Sequence, residues 1–334
     1  MNNRMPKLLF AGDVMLGENV YHIGRGIRTK FGKQYDKMIP SFIKKQLFDD
    51  VDAIVYNFEY SLVPDDFVFD DFEKSIYAAP TNSLEVFPNN ILKIVNIANN
   101  HFWEKGLEQT QFTIDVLKNK GFCVIGESGK PVVVKIKDKN FYFWGVSLID
   151  WNVPVFTSTY ENLLNRIFLP TKRENDVWIM SVHWGTEFIS QPNQQQVELA
   201  HKLVNVGFDI VHGHHPHVFQ SIEKVNNSLV MYSLGNCLFD ENFAYKTQLS
   251  YMPRVTFNKD VTWEMLRMKN KCYAPVKLEK IAQETVLYKK CKPLSSFKER
   301  LIFKKYNMLR KLEYLRHIGF NNFYVYKSMR KRLK

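Results

Sequence analysis

Six short apolar runs in the first 240 residues each end in a polar cluster, and this repetition constrains the fold more than any other feature of the chain. The runs span residues 8–10, 53–56, 92–97, 177–182, 208–211 and 229–232. Stretches with helical periodicity separate them, and two of these, residues 106–120 and 194–206, are each followed by a glycine suited to a left-handed helix cap. Strands that alternate with helices predict an α/β fold.

The polar clusters that follow the six runs carry aspartate, glutamate, asparagine and histidine side chains. In α/β sheets, ligands bind at the carboxyl ends of the strands. Polar residues at one strand end are ordinary loop chemistry, whereas six such ends at one edge point to a site. The sequence therefore predicts that distant residues converge there, from Asp13 near the start to Asn236.

Histidine is concentrated in one of these clusters, where four of the nine histidines occupy residues 212–217. Neutral imidazole is the commonest transition-metal ligand in proteins. A polar loop of hydrogen-bonded histidines is the alternative interpretation, and His183 alone could be a paired core histidine. The carboxylates of Asp13 and Glu59 follow buried-looking strands, where an unpaired charge is costly, so each needs a cation nearby.

Asn100 and His101 add an amide oxygen and an imidazole to these carboxylates and histidines. The resulting mixture of nitrogen and oxygen ligands suits Mn²⁺, Zn²⁺ or iron and would be a poor calcium cage. The sequence therefore predicts a centre for one or two divalent metal ions.

Six ordered motifs of the chain resemble those of the CapA-type poly-γ-glutamate capsule biosynthesis family, which is itself similar to the calcineurin-like metallophosphoesterases. The motifs are Gly12-Asp13-Val14-Met15-Leu16-Gly17, Asn57-Phe58-Glu59, Ala98-Asn99-Asn100-His101, His183-Trp184-Gly185-Thr186-Glu187, Gly213-His214-His215-Pro216-His217-Val218 and Ser233-Leu234-Gly235-Asn236. The resemblance covers about residues 6–245. It implies a four-layer α-β-β-α metallophosphoesterase-like sandwich with a metal centre between the loops of its two sheets.

The same resemblance implies a set of metal ligands. They would be Asp13, Glu59, Asn100, His183, His215 and His217. Glu59 would bridge if two ions bind. Asn100, His183 and His215 would complete the shell of one ion, and His217 would belong to the other.

The resemblance further implies that His101 is the general acid that protonates a leaving group. Residues that would support the ligands or contact the substrate are Asn57, Glu104, Glu187, His214 and Asn236. The chain departs from the pattern at Met15, where the phosphoesterases have histidine, at Glu104, where aspartate is typical, and at Glu18, where a basic residue is typical. The missing histidine leaves single-metal or metal-free operation open.

Two functions are open at this point. We expect a metal-dependent, phosphoesterase-like hydrolase that acts in the biosynthesis of capsule or another cell-surface polymer, with an anionic polymer or a phosphoester as its substrate. The alternative is a non-catalytic accessory protein that binds an anionic polymer or scaffolds a capsule assembly complex. The fold class alone does not decide between them.

Basic residues are concentrated at the end of the chain. Residues 285–334 contain fifteen lysines and arginines and two acidic residues, whereas the rest of the chain sums to −1 of the total net charge of +12. We expect a metallophosphatase-like domain over residues 1–290 and a basic, aromatic-rich, mostly helical extension over residues 291–334. This composition favours contact with an anionic membrane surface or an anionic polymer, with a solvated helical face as the alternative. Nucleic-acid binding is not expected, because no motif that reads nucleic acid precedes the extension.

Cysteine usage and hydropathy bear on the compartment. No C-x-x-C pair occurs among Cys123, Cys237, Cys272 and Cys291, so neither a zinc knuckle nor a dithiol redox site is expected. No run of about eighteen apolar residues occurs, and the first residues lack the apolar core of a signal peptide. We therefore expect a cytoplasmic protein with reduced thiols, in contact with the membrane surface through its extension at most.

Overall fold

Two β-sheets form the centre of the structure, a computed structural model that describes residues 4–149, 155–289 and 294–318. In chain order, the strands in these residues are β1 (Lys7–Val14), β2 (Ala53–Phe58), β3 (Ser61–Val63), β4 (Ala78–Pro80), β5 (Leu92–Asn96), β6 (Cys123–Ile125), β7 (Val132–Ile136), β8 (Lys139–Ser147), β9 (Asp176–His183), β10 (Ile210–His214), β11 (Ile222–Val225), β12 (Ser228–Met231), β13 (Asn236–Leu238), β14 (Leu249–Phe257), β15 (Val261–Lys271) and β16 (Ala274–Ile281). Strands β3 and β4 pair with each other outside the two sheets.

The helices lie between the strands and after the last one. They are α1 (Ile27–Phe31), α2 (Ser41–Phe48), α3 (Phe72–Ser75), α4 (Gly106–Asn119), α5 (Leu163–Arg166), α6 (Gln194–Asn205) and α7 (Ser296–Ile318). Helices α4 and α6 are those predicted from the sequence. The glycines that follow them, Gly121 and Gly207, have φ angles of 78° and 112°, which confirms the predicted left-handed caps.

The strand order of the first sheet is β16-β15-β14-β1-β2-β5-β6, and β13 pairs with β1 outside this path. Strands β1, β2, β5, β6 and β13 are parallel, whereas β14, β15 and β16 follow in antiparallel succession. The second sheet has the order β11-β12-β10-β9-β8-β7, and its four central strands are parallel. Parallel strands carry their carboxyl ends to the same edge, so the polar clusters of each sheet converge.

Three apolar layers separate four layers of secondary structure. Phe10 and Val55 of the first sheet meet Phe143 and Ile179 of the second between the sheets. A second apolar layer lies between the first sheet and α2 and α4, and a third lies between the second sheet and α5 and α6. This arrangement confirms the predicted four-layer α-β-β-α sandwich.

Strands β1 and β9 show why the apolar runs are continuous and do not alternate with polar residues. Leu8 and Phe10 of β1 face the other sheet, whereas Leu9 between them faces the helices. In β9, Ile179 faces the other sheet and Trp178 faces α6. Because both faces of each sheet are buried, successive side chains point to two different apolar layers.

The predicted helical extension is present as α7. The predicted boundary between residues 290 and 291 lies outside the described residues, as do residues 319–334. One face of α7 packs against the body: Tyr306 stacks on Phe188 with ring centroids 5.1 Å apart, and Glu313 Oε2 lies 3.6 Å from His22 Nε2. In the described part of the chain, no helix combines the length and the hydropathy needed to span a membrane.

Candidate metal centre

The predicted site lies where parallel strands of the two sheets end. Asp13, near the end of β1, is in register with Asn57 of β2 and with Asn236 of β13. His183, the last residue of β9, is in register with His214, the last residue of β10. All five side chains are buried. Strand register therefore brings together side chains from distant parts of the sequence.

Two groups of three potential ligands adjoin at this edge. The groups are Asp13 with Glu59 and His183, and Glu187 with His215 and His217. Within each group the ligand atoms lie within 4.8 Å of one another. Glu59 Oε2 is 3.9 Å from His217 Nε2, so the carboxylate of Glu59 faces both groups. Two cations could therefore bind side by side, with Glu59 between them.

Asn57 holds the two carboxylates of the first group in place. Its Nδ2 donates to Asp13 Oδ1 at 2.9 Å and to Glu59 Oε1 at 2.5 Å. Asn99 Nδ2 donates to Asn57 Oδ1 at 3.1 Å, which keeps the N–H groups of Asn57 turned towards the carboxylates. These are the contacts expected of a residue that supports the ligands.

The two buried carboxyl groups of the first ligand group have opposite pKa shifts. Burial raises the pKa of Glu59 well above its usual value, and the charge of Asp13 adds to this effect. Burial alone would raise the pKa of Asp13 as well, but hydrogen bonding to His214 and the charge of His217 lower it. A divalent cation favours the ionised form of both groups. Binding of a cation would therefore offset the cost of burying both carboxylates in their charged form.

The histidines of the site also differ in pKa. Burial lowers the pKa of His183 well below its usual value and that of His215 to about 4, so both imidazoles are neutral near pH 7. Burial opposes protonation of His217 too, but nearby carboxylates, Glu241 foremost, raise its pKa above the usual value. Neutral imidazole is the form that binds metals, so His183 and His215 are ready to bind, whereas a proton competes more strongly with a cation at His217.

Three buried atoms of the site lack a hydrogen-bond partner among the described residues: Glu59 Oε2, His214 Nδ1 and His215 Nδ1. Two of them, Glu59 Oε2 and His215 Nδ1, belong to potential ligands. Buried polar atoms are nearly always paired, so unpaired ones in this position need a partner. A cation would supply one, and a set of carboxylates and imidazoles suits Mn²⁺, Zn²⁺ or iron. The residues therefore fit a divalent metal.

Asn100 and His101 lie at the edge of the first group. His183 Nε2 and Asn100 Oδ1 are 2.9 Å apart, which suits a hydrogen bond and equally two ligands of one cation at about 2.1 Å each. His101 Nδ1 lies 2.8 Å from Glu104 Oε1, and its ring stacks on Tyr77 with centroids 3.9 Å apart. Glu104 therefore orients the imidazole of His101. The other ring nitrogen, Nε2, points towards Asn100 and lies 3.2 Å from the Nδ2 of that residue.

His217 is oriented by a chain of hydrogen bonds. Its Nδ1–H donates to Asn236 Oδ1 at 2.8 Å, and Asn236 Nδ2 donates to Glu241 Oε2 at 3.3 Å. This leaves Nε2 of His217 for a cation. The backbone is held in the left-handed region at both His215 (φ 94°) and His217 (φ 55°). Such strain persists only where the surroundings impose it, and it clusters at functional sites.

Glu187 and His214, both predicted to support the ligands, occupy different positions. Glu187 lies at ligand distance from His215 and His217. Burial raises the pKa of Glu187, but the neighbouring histidines outweigh this and lower it, so the carboxylate is ionised. His214 Nε2 is 3.0 Å from Ser181 Oγ, and its Nδ1 is 3.4 Å from Asp13 Oδ1. The geometry offers Glu187 as a further ligand and leaves His214 to support Asp13.

Two departures from the family pattern have structural reasons. Met15 packs in the apolar layer between the first sheet and its helices, so the first ligand group contains one imidazole, that of His183. Glu18 is buried and pairs with Arg28 at 2.6 Å, and it accepts a hydrogen bond from the backbone N–H of Gly26. Glu18 therefore shapes the loop after β1 and belongs to neither ligand group.

Three residues near the site were not predicted from the sequence: Phe188, Glu241 and Arg310. The Phe188 ring lies 6.3 Å from that of His217, and Glu241 holds Asn236. Arg310 comes from α7, and its Nη1 lies 3.4 Å from Glu241 Oε1. Glu241 follows the last motif by a few positions and could have been found as part of the same polar cluster. No local signal in the sequence points to Arg310.

Comparisons with known proteins identify the family of the chain. The family model described as "Bacterial capsule synthesis protein PGA_cap" matches residues 7–241. The capsule biosynthesis protein CapA of Bacillus anthracis is 27% identical over 267 residues, which cover 72% of this chain and 61% of that protein. The PGA biosynthesis protein CapA of Bacillus subtilis (strain 168) is 25% identical over 299 residues, which cover 83% of this chain and 76% of that protein. The chain thus spans about three fifths of the length of the B. anthracis relative.

A solved structure described as a novel phosphatase from Mycoplasma pneumoniae aligns with 83% of this chain and 93% of its own, at 12% identity and a TM-score of 0.44. The family model is the stronger finding, because it matches more than half of the chain. The matched segment contains all the predicted metal ligands. The chain belongs to the PGA_cap family of bacterial capsule synthesis proteins.

Proposed function

We propose that the protein is a metal-dependent hydrolase of phosphoesterase type that acts in the synthesis of capsule or another cell-surface polymer. The observation that supports this is the pair of adjoining ligand groups, with the buried carboxylate of Glu59 facing both. Sites that hold two cations side by side are suited to in-line displacement at phosphorus. Membership of the capsule synthesis family supports the biological setting.

The ligand groups would hold the ions, which when bound would neutralise phosphoryl oxygens and lower the pKa of an attacking water. Asn57 keeps the carboxylates of Asp13 and Glu59 turned inward through its two hydrogen bonds. His101 would donate a proton from Nε2 to the leaving group while Glu104 holds its Nδ1 side, once Asn100 Nδ2, which faces Nε2 at 3.2 Å as a donor, has turned away. Stacking on Tyr77 prevents the ring of His101 from turning away.

The turnover of bis-p-nitrophenyl phosphate with added Mn²⁺ tests this function. We expect His101→Ala to lower the turnover by about a hundredfold, since a lost general acid typically costs that much, and to leave the metal content unchanged. His201→Ala is the matched control, because His201 lies on α6 and contacts Glu223, away from the ligand groups. Equal turnover in the wild type and the His101 variant would contradict the role given to His101.

A second candidate is a non-catalytic accessory protein that binds an anionic polymer through the same pocket. The burial of Met15 in the core favours it, because the first ligand group then has one imidazole and would hold its ion weakly. This candidate predicts polymer binding without Mn²⁺-dependent turnover of bis-p-nitrophenyl phosphate. The measurement described above therefore separates the two functions.

We also propose that the outward face of α7 contacts an anionic membrane surface. Phe297, Leu301, Met308 and Leu312 are exposed and recur at spacings of four and seven residues, so they form one apolar stripe along the helix. Exposed basic residues flank this stripe: Lys298, Arg300, Lys304 and Lys305. Apolar side chains bordered by lysine and arginine complement the interface of a bilayer that contains anionic lipid.

Co-sedimentation with phosphatidylcholine vesicles, with and without phosphatidylglycerol, tests the membrane contact. We expect the protein to sediment with the anionic vesicles, and a Leu301→Ser, Met308→Ser double variant to remain in the supernatant. Val133→Ser is the control, because Val133 is equally exposed but lies on β7 in the second sheet. Binding to soluble poly-glutamate in place of vesicles would show that the face recognises a polymer and would overturn the membrane assignment.

A further inference from the structure

Helix α7 covers the second ligand group through one aromatic residue. Phe188 directly follows Glu187, and its ring stands 6.3 Å from that of His217. On its other side Phe188 stacks parallel to Tyr306 of α7, with centroids 5.1 Å apart and an interplanar angle of 1°. The ring of Phe188 therefore lies between α7 and His217, a potential metal ligand.

Arg310 projects from the same face of α7, one helical turn after Tyr306. Its guanidinium lies 4.6 Å from the ring centroid of Tyr21 and 5.6 Å from that of Phe188, so it makes cation–π contacts with two aromatic rings. The side chain is 15% exposed. These contacts restrict the guanidinium without using its N–H donors, which can still make hydrogen bonds.

The hydrogen-bond donors of Arg310 are not used up by the protein. Nη2 donates to Asn307 Oδ1 at 2.6 Å, and Nη1 makes a long contact of 3.4 Å with Glu241 Oε1. Nε is buried and has no hydrogen-bond partner among the described residues. An arginine has five N–H donors, so this buried side chain retains capacity for a further acceptor.

The contacts of Arg310 place it beside the second ligand group. Burial lowers its pKa, but the carboxylates of Glu241 and Glu187 outweigh this, so the guanidinium is charged. Glu187 belongs to the second ligand group, and Glu241 holds Asn236, the hydrogen-bond partner of His217. Through its contacts with Glu241 and Phe188, the cation of Arg310 therefore lies on the His217 side of the site.

We propose that Arg310, supplied by α7, is an oxyanion-binding residue of the metal centre and engages a phosphate or carboxylate group of the substrate. The planar fork of arginine matches both kinds of oxyanion with two parallel hydrogen bonds. Cations bound beside Glu187 would engage that carboxylate, which leaves the charge of Arg310 for an incoming anion. This inference rests on the proposed function and names the group by which that site recognises its substrate. The matched family segment ends at residue 241, so Arg310 lies outside it.

Binding of small oxyanions to the Mn²⁺-loaded full-length protein tests this proposal by calorimetry. Inorganic phosphate is one probe and glutarate, a dicarboxylate, is the other, so the two arms distinguish a phosphoester site from a polyglutamate site. We expect Arg310→Gln to weaken binding of the preferred probe by about tenfold to a hundredfold, as for the loss of a hydrogen bond to a charged group. Lys202→Gln removes one positive charge from the exposed surface of α6 and is expected to bind as the wild type does.

Metal content and thermal unfolding are measured for each variant alongside the binding. Unchanged oxyanion affinity in Arg310→Gln would overturn the proposal, and so would a parallel loss of Mn²⁺, which would show that Arg310 acts by holding Glu241. Should Arg310→Gln fail to fold, Arg310→Lys keeps the charge and loses the fork, and it is expected to bind the probe several-fold more weakly. Wild-type affinity in that lysine variant would equally overturn the proposal. Arg310-dependent binding in a protein without phosphoesterase turnover would support this inference while refuting the hydrolase function.

Discussion

Replacing Glu59 with glutamine separates what this buried side chain does for the fold from what it does for a cation. The two side chains have nearly the same shape, and glutamine keeps an oxygen that can accept from Asn57. In the metal-free protein, burial and the charge of Asp13 raise the pKa of Glu59 above its usual value of 4.5. Between pH 4.5 and the raised pKa, the folded protein retains a proton that the unfolded chain releases. The contribution of Glu59 to the free energy of unfolding therefore falls by about 1.4 kcal/mol per pH unit in that window.

Glu59→Gln removes this pH dependence because glutamine does not titrate. For each pH unit of this window, the metal-free variant should gain about 1.4 kcal/mol of unfolding free energy on the wild type, relative to their difference at the start. A bound cation is expected to reverse the order of stability, so that the wild type becomes the more stable of the two proteins. Mn²⁺ at about a hundred times its dissociation constant adds about 2.7 kcal/mol to a protein that binds it and little to one that does not.

Urea unfolding followed by tryptophan fluorescence, from pH 4.5 to neutrality, with EDTA or with Mn²⁺, measures both effects. Glu174→Gln is the matched control, because Glu174 is exposed in the turn before β9. Two results would refute the reasoning: equal pH slopes for the wild type and Glu59→Gln in EDTA, or equal stabilisation of the two proteins by Mn²⁺.

Three further predictions follow from the same geometry. Nearby carboxylates raise the pKa of His217, so Mn²⁺ binding should release protons. The affinity of the protein for Mn²⁺ should then rise by up to about tenfold per pH unit for each proton released. Calorimetry in buffers of different ionisation enthalpy would detect the proton release, and its absence would contradict this prediction. His183→Ala should abolish retention of the ion held by the first ligand group after gel filtration, as measured by elemental analysis, and full stoichiometric metal would remove this residue from the ligand set. Gly12→Ala should lower the unfolding free energy by about 1–3 kcal/mol, because its new methyl group would lie 1.7 Å from the carbonyl oxygen of Gly235. An unchanged melting temperature would contradict this prediction and show that the backbone at Gly12 and Gly235 can move apart.

The strands and the ligand positions were predictable from the sequence because both are local patterns. Continuous apolar runs identify strands that are buried on both faces, and the polar residue that ends each run must lie at the sheet edge. Asp13 and His183 are placed correctly at that edge by this reasoning alone. The pairing of two sheets into four layers is not local, and it was reached through the resemblance to a known family.

Arg310 shows what the sequence could not reveal. Tyr306 and Arg310 are four residues apart and Glu313 is three further on, so their common helical face can be read from spacing. What that face packs against depends on contacts with Phe188 and His22, which are more than a hundred residues away in the chain. The sequence therefore predicted a basic helix but not its place over the metal centre.

The candidate metal ligands and the helix beside them lie in different parts of the chain. Every predicted ligand lies within the matched segment, residues 7–241, whereas α7 begins well after it. Mutations in α7 could therefore change which molecules are admitted while leaving ion retention intact. Natural selection could tune the specificity of such a protein at its far end without disturbing the chemistry it inherited.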